Sequence, residues 1–489
     1  RIPKKEHEVT PRQRYTLLAA ALLVLAAALA GAGLWRVLSS RPPAAAVALR
    51  LPGNDAAPKD RSGDGAAVDL AGTFRAGEGT PSALPGYWPR FRGADLDNIA
   101  KDAPPLADAW PPEGPKVLWR IPVGEGYAGA AVANGRVYLA DYDEKTRADA
   151  VRCLSLDDGR EIWRRSYRIT VKKNHGMSRT VPAVTEQHLV SMGPRCHVVC
   201  LDPNTGDFRW GLDLQKDYGT KEPLWYTGQC PLIDGDRAIL APCGTEVLMM
   251  AVDCATGQVL WKAPNPDGVN MSHASVFPMT LAGRRMYVYA AVGGVAGVSA
   301  EPDTAGALLW SVPWKARVVA PSALAIGPDR VLCLAGYGEG GLILKIAAEG
   351  GAFTAAVESA YSPKDGIASE QHTPILHDGL LYAILPKDAG GLRAQFACYR
   401  PDNTLVWSSG SGERFGLGPF LLADGKFFVM DDEGTLSLLR QSPERFELLA
   451  RAKVLNGHES WGPMALAGDR LLVRDSMEMA CVFVGKEGS

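Results

Sequence analysis

A repeat constrains this chain more than any other feature. An Asp/Gly-type turn followed by a Trp recurs at a nearly fixed interval. Leu156-Asp157-Asp158-Gly159 leads to Trp163, and Leu201-Asp202-Pro203-Asn204-Thr205-Gly206 leads to Trp210. Val252-Asp253-Cys254-Ala255-Thr256-Gly257 leads to Trp261. Looser copies end at Trp310 and Trp407. Successive Trp residues lie 47, 51 and 49 positions apart, then 97, which is two units with one degenerate copy between. Trp119 lies 44 positions before Trp163.

Each unit has one internal grammar. An apolar opening strand is followed by a Gly turn and a second strand, as at Asn134-Gly135, Asp234-Gly235, Asp378-Gly379, Asp424-Gly425 and Gly468-Asp469. A third strand, the Asp/Gly turn and a Trp-bearing fourth strand complete it. Four short antiparallel strands per unit of this length describe a propeller blade. The frequency of Gly (53) and Pro (35) favours such turns over long helices. Openings fall near Ala130, Pro182, Pro231, Pro278, Pro321, Pro374, Pro419 and Pro463. The last unit supplies only three strands, and the stretch around Val117 and Trp119 can supply its fourth, which would close the ring and leave no exposed sheet edge. The expected fold is all-β, an eight-bladed β-propeller, with seven blades as the alternative if one degenerate unit is a loop. Trp119, Trp163, Trp210, Trp261, Trp310 and Trp407 are expected between blades as structural docking residues.

The N-terminal region divides by composition. Residues 1–14 form a basic tail, and 15–38 is almost wholly apolar, interrupted only by Arg36. Twenty-one residues at about 1.5 Å rise would span the roughly 30 Å hydrocarbon layer. The preceding Arg1, Lys4, Lys5, Arg12 and Arg14 would stay cytoplasmic. A transmembrane signal-anchor helix is therefore expected at 15–38. A cleaved signal peptide ending near Ala28-Leu29-Ala30 is the competing reading. Residues 39–86, rich in Pro, Ala, Gly and Asp, read as a flexible linker. The propeller would occupy 87–486, on the periplasmic or exterior side of a bacterial cytoplasmic membrane. A formal net charge of −2 gives no global attraction for nucleic acid.

The nine cysteines mostly follow the repeat. Cys153, Cys200, Cys398 and Cys481 hold equivalent places and read as small core residues of third strands. Cys230 and Cys243 could face one another across a hairpin, and an exported domain permits a disulfide there. Gly336-Tyr337-Gly338-Glu339-Gly340-Gly341 lacks the lysine and following helix of a phosphate loop and reads as a blade hairpin. Asp141-Tyr142-Asp143-Glu144-Lys145 reads as a solvated charged loop.

Residues just before the opening strands should converge on one face of the central channel. That ring comprises Arg179, Trp225, Tyr226, His273, Arg317, Glu370, Gln371, His372, Arg414, His458, Glu459 and Trp461, with His175 also before an opening. It mixes aromatics, donors and cations, as a site for a small polar or anionic ligand would. The plainer reading is that these side chains hold loop backbones and water. No metal site is expected.

The pattern Asp-x-x-Thr-Gly-x-x-x-Trp at Asp202 to Trp210 and Asp253 to Trp261 resembles the docking motif of pyrroloquinoline-quinone (PQQ) type propeller repeats. Trp88-Pro89-Arg90-Phe91-Arg92-Gly93 resembles the opening of PQQ-like propellers of planctomycete-type bacteria. Val123-Gly124-Glu125-Gly126-Tyr127 and His458-Glu459-Ser460-Trp461-Gly462-Pro463 are similar to that group as well. The resemblance covers roughly 87–485 and implies the quinoprotein alcohol dehydrogenase-like fold. It implies no single activity. PQQ dehydrogenases combine a stacked Trp, an acidic base and Ca²⁺ held by oxygen ligands, and many alcohol-oxidising members add a disulfide between adjacent cysteines. No two cysteines here are adjacent, and no matching Glu/Asn/Asp set can be assembled. A related propeller of the outer-membrane β-barrel assembly machinery implies a protein-binding role, although no lipobox cysteine is present here. The expected function is non-catalytic binding or scaffolding of an envelope protein, peptide or glycan, with no cofactor. A PQQ-dependent oxidoreductase using Ca²⁺ in the central funnel is the alternative.

Overall fold

The computed structural model describes residues 68–171, 176–457 and 459–486. The basic tail, the apolar stretch 15–38 and the linker up to residue 67 lie outside the described residues, as do His175 and His458. Among the described residues no helix is long and apolar enough to cross a membrane.

Eight antiparallel sheets follow one another along the chain. Blade 1 runs from Ala130–Ala133 to Glu161–Arg168, blade 2 from Ala183–Val184 to Phe208–Asp213, and blade 3 from Leu232–Asp234 to Val259–Pro264. Blade 4 runs from Phe277–Leu281 to Leu308–Pro313, and blade 5 from Leu324–Ala325 to Ala352–Tyr361. Blade 6 runs from Ile375–His377 to Leu405–Ser408, and blade 7 from Phe420–Ala423 to Leu448–Lys453. Blade 8 takes three strands from the C-terminal end and its fourth from Val117–Pro122, which pairs with Glu478–Phe483 and sets Trp119 opposite Cys481. Eight blades closed by an early strand is thus the observed architecture, and the seven-bladed alternative falls. Opening strands touch between blades 8 and 1, 1 and 2, 2 and 3, and 4 and 5, so these strands line the channel. Asn134-Gly135 and Asp424-Gly425 carry positive φ at both residues, the type I′ geometry that matches strand twist in tight hairpins.

The Trp pattern has a single structural cause. Trp163, Trp210, Trp261, Trp310 and Trp407 lie opposite Cys153, Cys200, Ala251, Gly297 and Cys398, each beside a β-bulge. The rings of Trp163, Trp210 and Trp261, like that of Trp119, lie against the glycine of the next blade's Asp/Gly turn. A Cβ added at Gly159 would come within 2.8 Å of Trp119, at Gly206 within 2.8 Å of Trp163, at Gly257 within 2.6 Å of Trp210 and at Gly306 within 2.8 Å of Trp261. The indole Nε1 atoms of Trp119 and Trp210 donate to the carbonyls of Leu156 and Cys254 in the neighbouring blade. Ser359 and Ala450 hold the Trp position in blades 5 and 7, which is why those units look degenerate. Gly257 has φ +71°, so alanine there adds a left-handed backbone penalty to the clash. Gly257→Ala should cost about 1–2 kcal/mol of stability, read as a lowered denaturant midpoint. An unchanged midpoint would show that the ring contact is not held tightly.

All nine cysteines are buried and free. Cys153, Cys200, Cys398 and Cys481 lie on third strands as the repeat implied. The pairing of Cys230 with Cys243 does not form. The Cys230 sulfur instead accepts from the Val181 amide of blade 2, and Cys243 sits beside the Leu248 carbonyl. Within the stretch read as linker, Thr73–Ala76 forms a fifth strand on blade 1, antiparallel to Glu161–Arg168. Arg75 pairs with Glu161 there, and Arg165 lies over the Phe74 ring. The outermost strand offers unpaired backbone groups, and this short segment satisfies them. Asp141 and Tyr142, expected in a solvated loop, belong to the strand Arg136–Asp143 and are buried.

The segment from Trp88 to Ala100 crosses the channel. Trp88 exchanges backbone hydrogen bonds with Val132 of blade 1, and the Pro89 carbonyl accepts from Val184 of blade 2. Arg90 donates to the Ile233 carbonyl of blade 3, and Phe91 packs on Phe277 of blade 4. Arg92 donates to the carbonyls of Thr373 and Pro374 beside blade 6. The Asn98 side chain donates to Phe420, and Ile99–Ala100 pairs in parallel with the opening strand of blade 7. A segment that reaches six blades can only lie across the axis. It plugs the channel and makes one face of it a closed-ended funnel.

Candidate functional site

The funnel is lined by loops that precede opening strands, with Phe91 of the plug contributing from within. Arg179, Trp225, His273, Gln371, His372 and Trp461 all line one cavity, joined by Glu370. Their distance in sequence is large, and the common place before each opening strand brings them together. Tyr127, Tyr337 and Phe91 line the same cavity and were missing from the expected ring.

Aromatic rings dominate the wall. Trp225 stacks on His273 at 6.3 Å and meets Tyr337 at 5.7 Å. Tyr127 and Trp461 lie 5.4 Å apart. The Tyr127 hydroxyl donates to Glu459 at 2.6 Å, so the sequence motifs around 123–127 and 458–463 meet here, at the seam between blades 8 and 1. Trp461 Nε1 donates to Asp432, which also accepts from the Leu417 amide. Trp225, Tyr226, Tyr337 and Glu459 all have φ between 57° and 73°. Left-handed backbone at bulky residues costs about 1–3 kcal/mol each and collects at functional sites.

Charges of both signs stand in or beside the wall. The Arg179 guanidinium lies 4.9 Å over the Tyr127 ring and donates to the Trp225 carbonyl at 2.6 Å. Burial pulls its pKa down to about 10, so it stays charged at neutral pH. Lys387 sits 4.9 Å over the Tyr337 ring and 3.3 Å from Glu370. Glu370 is 3% exposed, and its Oε2 has no hydrogen-bond partner. Burial raises its pKa, opposed by Lys387. Burial lowers both His273 and His372 to about 4, helped by Arg179 for the first; for His372 the bond to the Leu417 carbonyl works the other way. Both imidazoles are therefore neutral at pH 7.

The remaining expected residues go elsewhere. Tyr226 turns away into a buried cluster with Tyr142, Val171 and Met177. Arg317 is exposed and outside the cavity wall, although its neighbour Val318 lines it. Arg414 is exposed and donates to the carbonyls of Ser411 and Arg393, tying its own loop. Glu459 acts on the funnel through Tyr127. His458 lies outside the described residues.

Comparison with known proteins supports the same architecture. A family model described as outer membrane protein assembly factor BamB matches residues 101–222 and 147–399, together more than half of the chain. Among solved structures, a europium-containing methanol dehydrogenase is similar at 12% identity and TM-score 0.55, over 80% of this chain and 89% of that one. A quinohemoprotein alcohol dehydrogenase from Pseudomonas putida HK5 is similar at 11% identity and TM-score 0.53, over 83% and 81%. BamB from Moraxella catarrhalis is similar at 12% identity and TM-score 0.50, over 76% and 100%. At such identities the likeness concerns the fold alone. No curated protein matches the chain in sequence. The repeat, the blade count and the matched model agree, and this chain belongs to the PQQ-like β-propeller family that the BamB model describes.

Proposed function

We propose that this protein is a non-catalytic binding or scaffolding propeller of the cell envelope, holding a protein, peptide or glycan in its funnel. The observation that carries this reading is the funnel itself. The plug closes it, aromatic rings line it, and strained backbone is kept at Trp225 and Tyr337. The apolar stretch 15–38 would tether the propeller outside the cytoplasmic membrane. No nucleic-acid partner is proposed.

PQQ with Ca²⁺ is the alternative raised by the resemblance, and the funnel's donors do not suit it. Ca²⁺ takes six to eight oxygen ligands. The funnel carboxylate Glu370 faces Lys387, and Glu459 accepts the Tyr127 hydroxyl. Among the described residues no cluster of three His, Cys, Asp or Glu side chains is placed to hold a metal.

Two measurements test the reading. On arrays of peptides and glycans, the parent should bind some member, and Trp225→Ala should weaken that binding by about 30-fold, as removal of a central aromatic anchor does. Addition of PQQ and Ca²⁺ with an alcohol or sugar and an artificial acceptor should give no turnover. Sustained turnover, or array binding indifferent to Trp225, would overturn the proposal.

A further inference from the structure

Building on the reading that the funnel is a ligand site, we propose that it takes a neutral sugar ring, the terminal pyranose of a glycan. Size comes first. The cavity measures about 120 Å³, room for roughly ten waters, which suits a single small ring rather than the roughly 300–1,000 Å³ of a drug- or cofactor-sized site.

Charge then selects against the other classes. A quaternary ammonium would seek the faces of Tyr127 and Tyr337, but Arg179 and Lys387 already lie 4.9 Å over those rings. A phosphate would meet the carboxylates of Glu370 and Glu459 in or beside the wall. Arg179 meanwhile spends its Nε on the Trp225 carbonyl. Arg179 and Lys387 stand beside the carboxylates of Glu370, Glu459 and Asp432, so the site offers an anion no excess of cations, and the two histidines are neutral.

Hydrogen bonding completes the argument. Glu370 lines the cavity, and its Oε2 is buried without a hydrogen-bond partner. Such an oxygen needs an O–H donor. An apolar peptide side chain offers that carboxylate nothing, whereas a sugar hydroxyl can donate to it once the side chain turns its oxygen toward the cavity. The Trp225 and Trp461 indoles line the same cavity and supply apolar surface for the C–H side of such a ring.

The test is titration of the full chain, followed by Trp fluorescence, with D-glucose, D-galactose, D-mannose, N-acetylglucosamine and maltose. Glucose 6-phosphate, choline and the peptide Gly-Phe-Gly serve as the charged and peptide arms. At least one neutral sugar should bind, and Glu370→Gln should weaken it about tenfold by removing a charge-assisted bond. Tyr337→Ser, at a residue 48% exposed and so tolerant of change, should weaken it comparably while leaving the melting temperature in place. Sugar binding untouched by both variants would overturn the proposal. Binding of the phosphate, choline or peptide probe instead, lost in both variants, would overturn the sugar while the funnel reading stands. No binding by any probe would overturn the sugar proposal, and the Trp225-dependent array signal then decides the broader reading separately.

Discussion

Arg92→Met should destabilise the propeller by about 3–5 kcal/mol, the largest effect expected of any single substitution considered. Arg92 is 3% exposed and lies in the plug, where burial pulls its pKa down to about 9. Its guanidinium donates to four carbonyl oxygens, those of Leu96, Asp97, Thr373 and Pro374, at 2.7–3.1 Å. Two of these belong to the plug and two to the loop leading into blade 6, so one planar fork joins the early segment to a loop about 280 residues later. Hydrogen bonds to a charged group contribute about 1.5–3 kcal/mol each. Relief of the buried charge offsets part of that sum, and the carbonyls left bare in the channel restore much of it. Met matches the volume and removes every donor. Lys should recover only part of the loss, because an ammonium cannot meet four acceptors in one plane. Equilibrium denaturation of parent and variants checks this, and equal midpoints for Met and parent would show that the plug is held by apolar packing alone.

The second large effect is on pH dependence. Asp149 is 5% exposed on the third strand of blade 1 and accepts the Tyr167 hydroxyl at 2.6 Å, while its other oxygen has no partner. The chain of blade 2 presses so close that a Cβ at Gly193 would lie 2.1 Å from the carboxyl. Burial first, and then Asp141, push its pKa up to about 7, against the bond from Tyr167. Asp141 itself has Arg152 at 2.9 Å, a cation that Asp149 lacks. Between about pH 4 and 7 the unfolded chain has released this proton and the native chain has kept it. Stability therefore falls as pH rises through that window, and the loss levels off above it. His273 and His372, lowered to about 4, act with the opposite sign between about pH 4 and 6.5, so the total profile mixes both. The difference between Asp149→Asn and parent isolates the carboxyl. That difference should grow in favour of the variant by about 2–3 kcal/mol from pH 5 to pH 8. Parallel stability profiles across this range would refute a neutral Asp149 in the native state.

The funnel was legible only in part. Seven of the expected ring residues meet because each stands just before an opening strand, a position that the repeat makes visible. Tyr226 does not, since two successive left-handed residues, Trp225 at 64° and Tyr226 at 73°, send adjacent side chains different ways. Tyr337 was passed over inside a glycine-rich hairpin that reads correctly as a hairpin. An aromatic at the tip of such a turn, where nothing in the repeat asks for one, was the available signal. Tyr127 was visible only as part of a motif, and its bond to Glu459 spans most of the chain.

The sequence by itself determined the blade unit, its recurring Trp and the closing strand, because these depend on local spacing that each unit repeats, and the structure settled eight blades over seven. Bulge, Trp and turn glycine recur together, so one blade predicts the next. Only the tertiary structure decided that Trp88 to Ala100 plugs the channel, that Asp149 is buried without a cation, and that Glu370 lines the cavity with one oxygen buried and unmet. Those features arise once in the chain and depend on residues hundreds of positions apart becoming neighbours, so no periodic pattern announces them.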